Sequence, residues 1–263
     1  FCIISNFNQK KIKGNIFAYD INPFLINVYK HIQKNKDVLF KKIIFYKTEF
    51  ESCADERGTK KPKCLQEALT CRESYYYWLR QKYNYFCHKP DKTPNEHIII
   101  SALFIILNKT SFRGVYREGP GGYNVPYGHP KRFPEIITKD KIDTISKLIE
   151  KVHFSVLSYK DSLKRVIKGD YVYLDPPYAP INEKSFVKYT KGGFNEEDHI
   201  TLFKSIIDLD KKDSYFLLSN ANVTLVKTHF SKYNIEIIDC KRAIHSKNPG
   251  AKAKEVLITN LII

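Results

Sequence analysis

Four consecutive residues, Asp175, Pro176, Pro177 and Tyr178, bring together a carboxylate, stiff backbone carbonyls and an aromatic face. They follow the run Gly169 to Leu174, whose Val, Leu and Tyr content predicts a buried strand. Proline lacks an N–H and has a fixed φ, so the pair must end that strand and stiffen the turn after it. Asp175 is therefore expected where the strand leaves its sheet, with Tyr178 on the turn. This grouping suits a planar ring that carries an amine. The carboxylate would accept one amine N–H, the Pro176 carbonyl the other, and the tyrosine would stack on the ring.

The exocyclic amine of adenine is such a group, and it is a poor nucleophile because its lone pair is delocalised into the ring. Two acceptors on its N–H bonds favour a pyramidal nitrogen with the lone pair aimed at an electrophile, a matter of positioning and electrostatics. The sulfonium methyl of S-adenosylmethionine is a suitable electrophile and needs no metal. Duplex DNA hides the amine, so the base would have to be flipped out.

Composition agrees with a nucleic-acid partner. Over 263 residues, 44 Lys and Arg oppose 28 Asp and Glu, a formal net charge of +16. Such an excess favours polyanions, although a lysine-rich surface from biased composition gives the same count. Hydrophobic residues make up 43%, enough for a core, and no apolar run approaches a membrane span. The six cysteines, Cys2, Cys53, Cys64, Cys71, Cys87 and Cys240, fit no common zinc template, so reduced thiols and no metal are expected.

Several elements must position these residues. A short strand, Asn15 to Tyr19, ends at Asp20 and enters a helix. An acid at the end of the second strand of a Rossmann-like sheet is placed to hold ribose hydroxyls. The competing reading is a plain helix cap by Asp20 or Asn22. Residues 41 to 97 read as helical, with the rings of "ESYYYWLRQKYNYF" packed between helices. After a buried helix, Arg113 to Arg132 holds five glycines and three prolines among basic residues and tyrosines. It reads as a reaching hairpin or loop, with Arg for phosphates and planar groups for bases, and Arg113 to Pro130 are expected to be mobile or distorted without DNA. Downstream, a helix near Lys139, strands at "HFSVLSYKD", "GDYVYLD" and "SYFLLSN", an amphipathic helix at "NEEDHITLFKSIIDLD" and two late antiparallel strands predict an α/β sheet, mostly parallel.

These stretches carry a resemblance. "DPPYAP" (Asp175 to Pro180) is similar to the signature of amino-methylating DNA methyltransferases. "YDINPFLINVY", "FRGVYREGPGGYNVPYGHPKRFPE", "LLSNAN" and "HSKNPGAKAKEVLITN" resemble, in order, stretches of the Dam-type, DPPY alpha-group DNA adenine methyltransferase family. The resemblance runs from Asp20 to Asn260. It implies a Rossmann-like, S-adenosylmethionine-dependent sheet with an inserted helical and hairpin recognition region. By analogy, Asp175, Pro176, Pro177 and Tyr178 hold the target adenine, and Asp20 and Asp175 contact the cofactor. Arg117, Asn124, Pro126 and Tyr127 fall in the DNA-contact hairpin. Arg113 joins them as a departure, standing where the family usually has Asn, and "REGPGG" replaces the usual "RxNxxG".

The resemblance further implies a catalytic domain of residues 1–40 and 139–263 and a target-recognition region of residues 41–138. It implies methylation of adenine in double-stranded DNA, with GATC the leading candidate site. A cognate restriction endonuclease is a candidate partner; a membrane is not, and the oligomeric state stays open. The expected location is a bacterial cytoplasm, or a host cell if the chain is viral. The alternatives are an inactive methyltransferase-fold DNA-binding protein and an amino-methyltransferase acting on cytosine or RNA. The family's glycine-rich cofactor loop is expected at or before Phe1, and the absence of any methionine fits a sequence lacking its N-terminal segment.

Overall fold

Parallel strands β1 (Ile16–Asp20) and β4 (Val152–Val156) pair in register from Ile16 opposite Val152 to Asp20 opposite Val156. Between them the chain makes a long helical crossover, as parallel pairing requires. The computed structural model describes residues 14–54, 57–180, 194–241 and 252–261. It divides into two compact units, residues 1–157 and 158–263.

The crossover of the first unit holds α1 (Pro23–Lys34), α2 (Lys36–Ser52), α3 (Leu65–Ala68), α4 (Arg72–His88), α5 (Pro94–Thr110) and α6 (Lys139–Leu148). Its helices start where local chemistry dictates. Asn22 caps α1 by accepting the Phe24 and Leu25 N–H groups, and Pro23 occupies the first turn, where no N–H is needed. Thr93 and Glu96 form a reciprocal capping box on α5. The core is built on α5, with Ile100, Leu103 and Ile106 fully buried, and on α4, with Tyr75, Tyr76, Leu79 and Tyr83 buried against them. The aromatic run is thus packing, as its composition suggests, with the exposed Tyr85 an exception. A 3₁₀ turn, Phe112–Gly114, leads into the small antiparallel hairpin β2 (Glu118–Gly119) and β3 (Gly122–Tyr123).

The second unit runs α7 (Tyr159–Lys164), β5 (Tyr171–Leu174), α8 (Glu196–Lys211), β6 (Tyr215–Ala221), α9 (Thr224–His229), β7 (Asn234–Lys241) and β8 (Lys252–Thr259). Its sheet has the order β5-β6-β8-β7. β5 and β6 are parallel, whereas β8 is antiparallel to both β6 and β7. The late strands are antiparallel, as their short spacing predicts. The fold is therefore mixed α/β. α8 begins with an Asn195–Asp198 capping box and buries His199, Leu202, Phe203, Ile206 and Leu209. Phe216, Leu218, Val256 and Ile258 are also buried in this unit.

β5 departs from the expected buried strand. Leu174 is buried, but Tyr171 and Tyr173 are exposed. The side-chain period of two puts the tyrosines on the opposite face from Val172 and Leu174, so the apolar-looking run is amphipathic. Among the described residues, no helix is long and apolar enough to cross a membrane.

Candidate active site and nucleic-acid interface

β5 stops at Leu174, and its parallel neighbour β6 does not. Leu174 pairs with Leu218, and β6 continues through Ser219, Asn220 and Ala221. Ser219 and Asn220 lie beside the proline turn with no strand partner on that side, and they bind the turn. The Ser219 hydroxyl donates to Asp175 Oδ1 at 2.9 Å. The Ala179 N–H donates to Asn220 Oδ1 at 2.9 Å, and the same oxygen accepts the Ala221 N–H. Asn220 is fully buried, and its Nδ2 has no hydrogen-bond partner. From β8, Glu255 takes the Tyr178 hydroxyl at 3.3 Å.

The turn is thus gripped on both flanks while Asp175 itself is exposed and Pro176, Pro177 and Tyr178 are half-buried. Burial pushes the Tyr178 hydroxyl up to about 12; the adjacent Ser219 opposes the shift, and the Asp175 and Glu255 carboxylates add to it. Tyr178 therefore stays a neutral phenol, suited to stacking and to donating. Structure brings Asp175, Pro176, Pro177 and Tyr178 together, as adjacency in sequence requires. It adds Ser219, Asn220 and Glu255, to which sequence reasoning gave no roles. The available signal was the polar "SN" closing an otherwise apolar strand.

In the first unit, Asp20 sits at the carboxyl end of β1. Its Oδ1 accepts the Asn22 N–H at 2.7 Å, so Asp20 braces the turn into α1 while Asn22 is the N-cap. Asp20 is half-buried.

The stretch expected to be a mobile loop is anchored. From Tyr123 to Tyr127, residues alternate buried and exposed: Tyr123, Val125 and Tyr127 point inward, Asn124 and Pro126 outward. The Val125 carbonyl accepts from the Tyr76 hydroxyl at 2.8 Å and from Arg80 at 3.0 Å. Asn84 takes the Tyr123 N–H and donates to the Tyr123 carbonyl, both at 2.9 Å. The Phe112 N–H bonds to the Pro126 carbonyl and the Gly128 N–H to the Thr110 carbonyl. Gly128 and Gly122 serve close approach. A Cβ on Gly128 would stand 2.6 Å from the Ser111 carbonyl oxygen, and Gly122, at φ +89°, sits against Asn84.

Two consequences correct the sequence reading. The tyrosines of this stretch have core partners. Tyr127, expected to contact DNA, is only 4% exposed, with its ring beside those of Phe50 and Tyr76. Its ring is an anchor, because an aromatic side chain on an inward position of an extended segment contributes more by burial than by reaching solvent. The other four candidates, Arg113, Arg117, Asn124 and Pro126, are exposed. Arg117 Nε donates to Asn124 Oδ1 at 2.7 Å. Arg113 adopts φ +59°, a left-handed conformation costly for a residue with a Cβ. Its guanidinium lies 4.9 Å from the centre of the exposed Phe112 ring.

Comparison with known proteins shows the family. The sequence profile of the D12 class N6 adenine-specific DNA methyltransferase family matches residues 3–244. The chain is 31% identical over 266 residues to the type II methyltransferase M.MjaIII of Methanocaldococcus jannaschii, covering 100% of this chain and 83% of that protein. It is 28% identical over 243 residues to the retron Ec67 DNA adenine methylase of Escherichia coli, covering 90% of this chain and 73% of that protein. Against the DNA adenine methylase of Escherichia coli strain K12 the identity is 26% over 239 residues, covering 89% and 74%. A profile match over nearly the whole chain, with the Asp-Pro-Pro-Tyr turn inside it, means that the chain belongs to the D12 class N6 adenine-specific DNA methyltransferase family.

Proposed function

We propose that the Asp175–Tyr178 turn is the site at which this methyltransferase holds the N6 amine of a flipped-out adenine. The observation that carries this reading is an exposed carboxylate on a proline-stiffened turn at the carboxyl end of a parallel strand, braced from β6. Asp175 accepts one amine N–H and the Pro176 carbonyl the other. Tyr178 stacks on the base as a neutral ring. Holding both N–H bonds raises the nitrogen's lone-pair character before any bond is made, so the residues work by positioning and by charge.

The cofactor we assign is S-adenosylmethionine, which supplies an electrophilic methyl group. Asp20 and Asp175 fit such a ligand. Each places a carboxylate at the carboxyl end of a parallel strand, where hydroxyl or cationic donors can be met, and Asp20 is already oriented by the Asn22 N–H. The family's glycine-rich cofactor loop falls outside the described residues.

The fold we propose is a Rossmann-like catalytic domain, residues 1–40 and 139–263, with residues 41–138 as the recognition region. Arg113, Arg117, Asn124 and Pro126 form the exposed face of that region, and the net charge of +16 favours duplex DNA on it. GATC is the leading site. Arg113, standing where the family usually has Asn, is the residue assigned to change base choice, because an Arg is suited to a bidentate contact with guanine. A cognate restriction endonuclease is the partner to seek, in a cytoplasmic setting. The test is modification-sensitive sequencing of DNA from cells expressing the protein. N6-methyladenine in one recurrent short sequence is expected; modified cytosine, or no modified base, overturns the reading.

A further inference from the structure

We infer that Ser219 is a positioning residue for methyl transfer: by holding Asp175 Oδ1 it leaves Oδ2 as the oxygen that accepts the target amine's N–H. This rests on the proposed role of Asp175. The argument begins with register. β5 ends at Leu174, opposite Leu218, because two prolines follow Asp175. β6 runs on, so its next residue, Ser219, faces the first residue of the turn. Ser219 is 5% exposed, yet it carries a hydroxyl where an apolar side chain would suit the strand. The hydroxyl has Asp175 Oδ1 at 2.9 Å and the Leu174 carbonyl at 3.4 Å in range, with the Tyr178 hydroxyl as a further neighbour. The shorter contact, to a charged acceptor, takes the proton.

A carboxylate on an exposed turn otherwise rotates about its last bond and presents either oxygen. The amine must meet one oxygen and the Pro176 carbonyl together, so rotation costs reactive geometry. Ser219 removes that freedom from behind. Asn220 does the same for the backbone of the turn: its Oδ1 holds the Ala179 N–H. The two adjacent β6 residues thus set the side chain and the main chain of the same site.

The test uses the full protein with Ser219→Ala and Ser219→Cys, the latter close in size but a weak donor. Single-turnover methylation of a duplex is measured beside cofactor KM, DNA Kd and melting temperature. Both variants are expected to lower the rate about tenfold, the scale of one charge-assisted hydrogen bond, with DNA Kd unchanged. Wild-type rates in both variants overturn the inference. So does a wild-type rate in Ser219→Cys alone, or a rate loss that only follows a fall in melting temperature. Asp175→Ala, which removes the acceptor altogether, is the companion arm. If it still methylates, the reading of the turn fails; if it is inactive while both Ser219 variants run normally, only the positioning role fails.

Discussion

The Asp175–Pro180 turn and the Phe112–Gly128 segment are both punctuated by proline or glycine, and both carry exposed polar residues that we propose meet a ligand. They are held at different atoms. The turn is gripped through polar atoms: Ser219 on its carboxylate, Asn220 on its backbone, Glu255 on its tyrosine. The hairpin segment is gripped through its backbone, which Tyr76, Arg80 and Asn84 hold by hydrogen bonds, and through burial, with Tyr123, Val125 and Tyr127 inside the first unit and Arg117, Asn124 and Pro126 left outside. The difference suits the tasks. A reacting group needs its own polar atoms oriented, so its supports must be hydrogen bonds. A surface that meets phosphates and base edges needs a rigid frame with replaceable outer residues, and alternate-residue burial supplies that.

The largest expected effect tests the polar grip. Asp175→Ala should reduce methyl transfer by at least about a hundredfold, the scale for removing a preorganised group at the reacting atom. DNA affinity should be retained, since it comes mostly from phosphate contacts. Activity and gel-shift assays on one preparation decide it, and substantial methylation would remove the distinction between the two regions.

Gly128→Ala tests the packed grip. Its Cβ would sit 2.6 Å from the Ser111 carbonyl oxygen, so backbone must move, at about 2 kcal/mol. Thermal or urea unfolding should show that loss. Unchanged stability would mean that the segment yields easily, as a mobile loop would.

Arg113→Asn sharpens the comparison at the edge of the segment. Asn tolerates a φ of +59° better than Arg, so stability should rise by about 1 kcal/mol, a relief of local strain. Methylation of single-base variants of the preferred site should lose its preference at one position. If rates fall equally at every position, Arg113 holds backbone rather than a base.

Arg117→Ala has the smallest expected effect. Arg117 is exposed and tied to Asn124. Its loss should weaken DNA binding evenly across sequences and lower the salt dependence by about one unit of log–log slope. A change in base preference instead would move Arg117 from backbone contact to base reading.

The sequence by itself determined most of the elements and the place of the Asp-Pro-Pro-Tyr turn. Helix starts were legible from Asn22-Pro23, Thr93-Pro94 and Asn195, because capping depends on neighbours a few positions away. The Asp-Pro-Pro-Tyr turn was legible for the same reason: proline ends a strand through its own covalent geometry. Tertiary structure alone decided three things. It set which face of β5 is exposed, because the strand's period of two tells apart two faces without naming the outer one. It turned Gly122 and Gly128 from a sign of mobility into sites of close packing, since contact with Asn84 or Ser111 joins residues distant in sequence. And it chose Ser219, Asn220 and Glu255 as the supports of the turn. Their partnership arises from strand register across more than forty residues, and no local pattern encodes register.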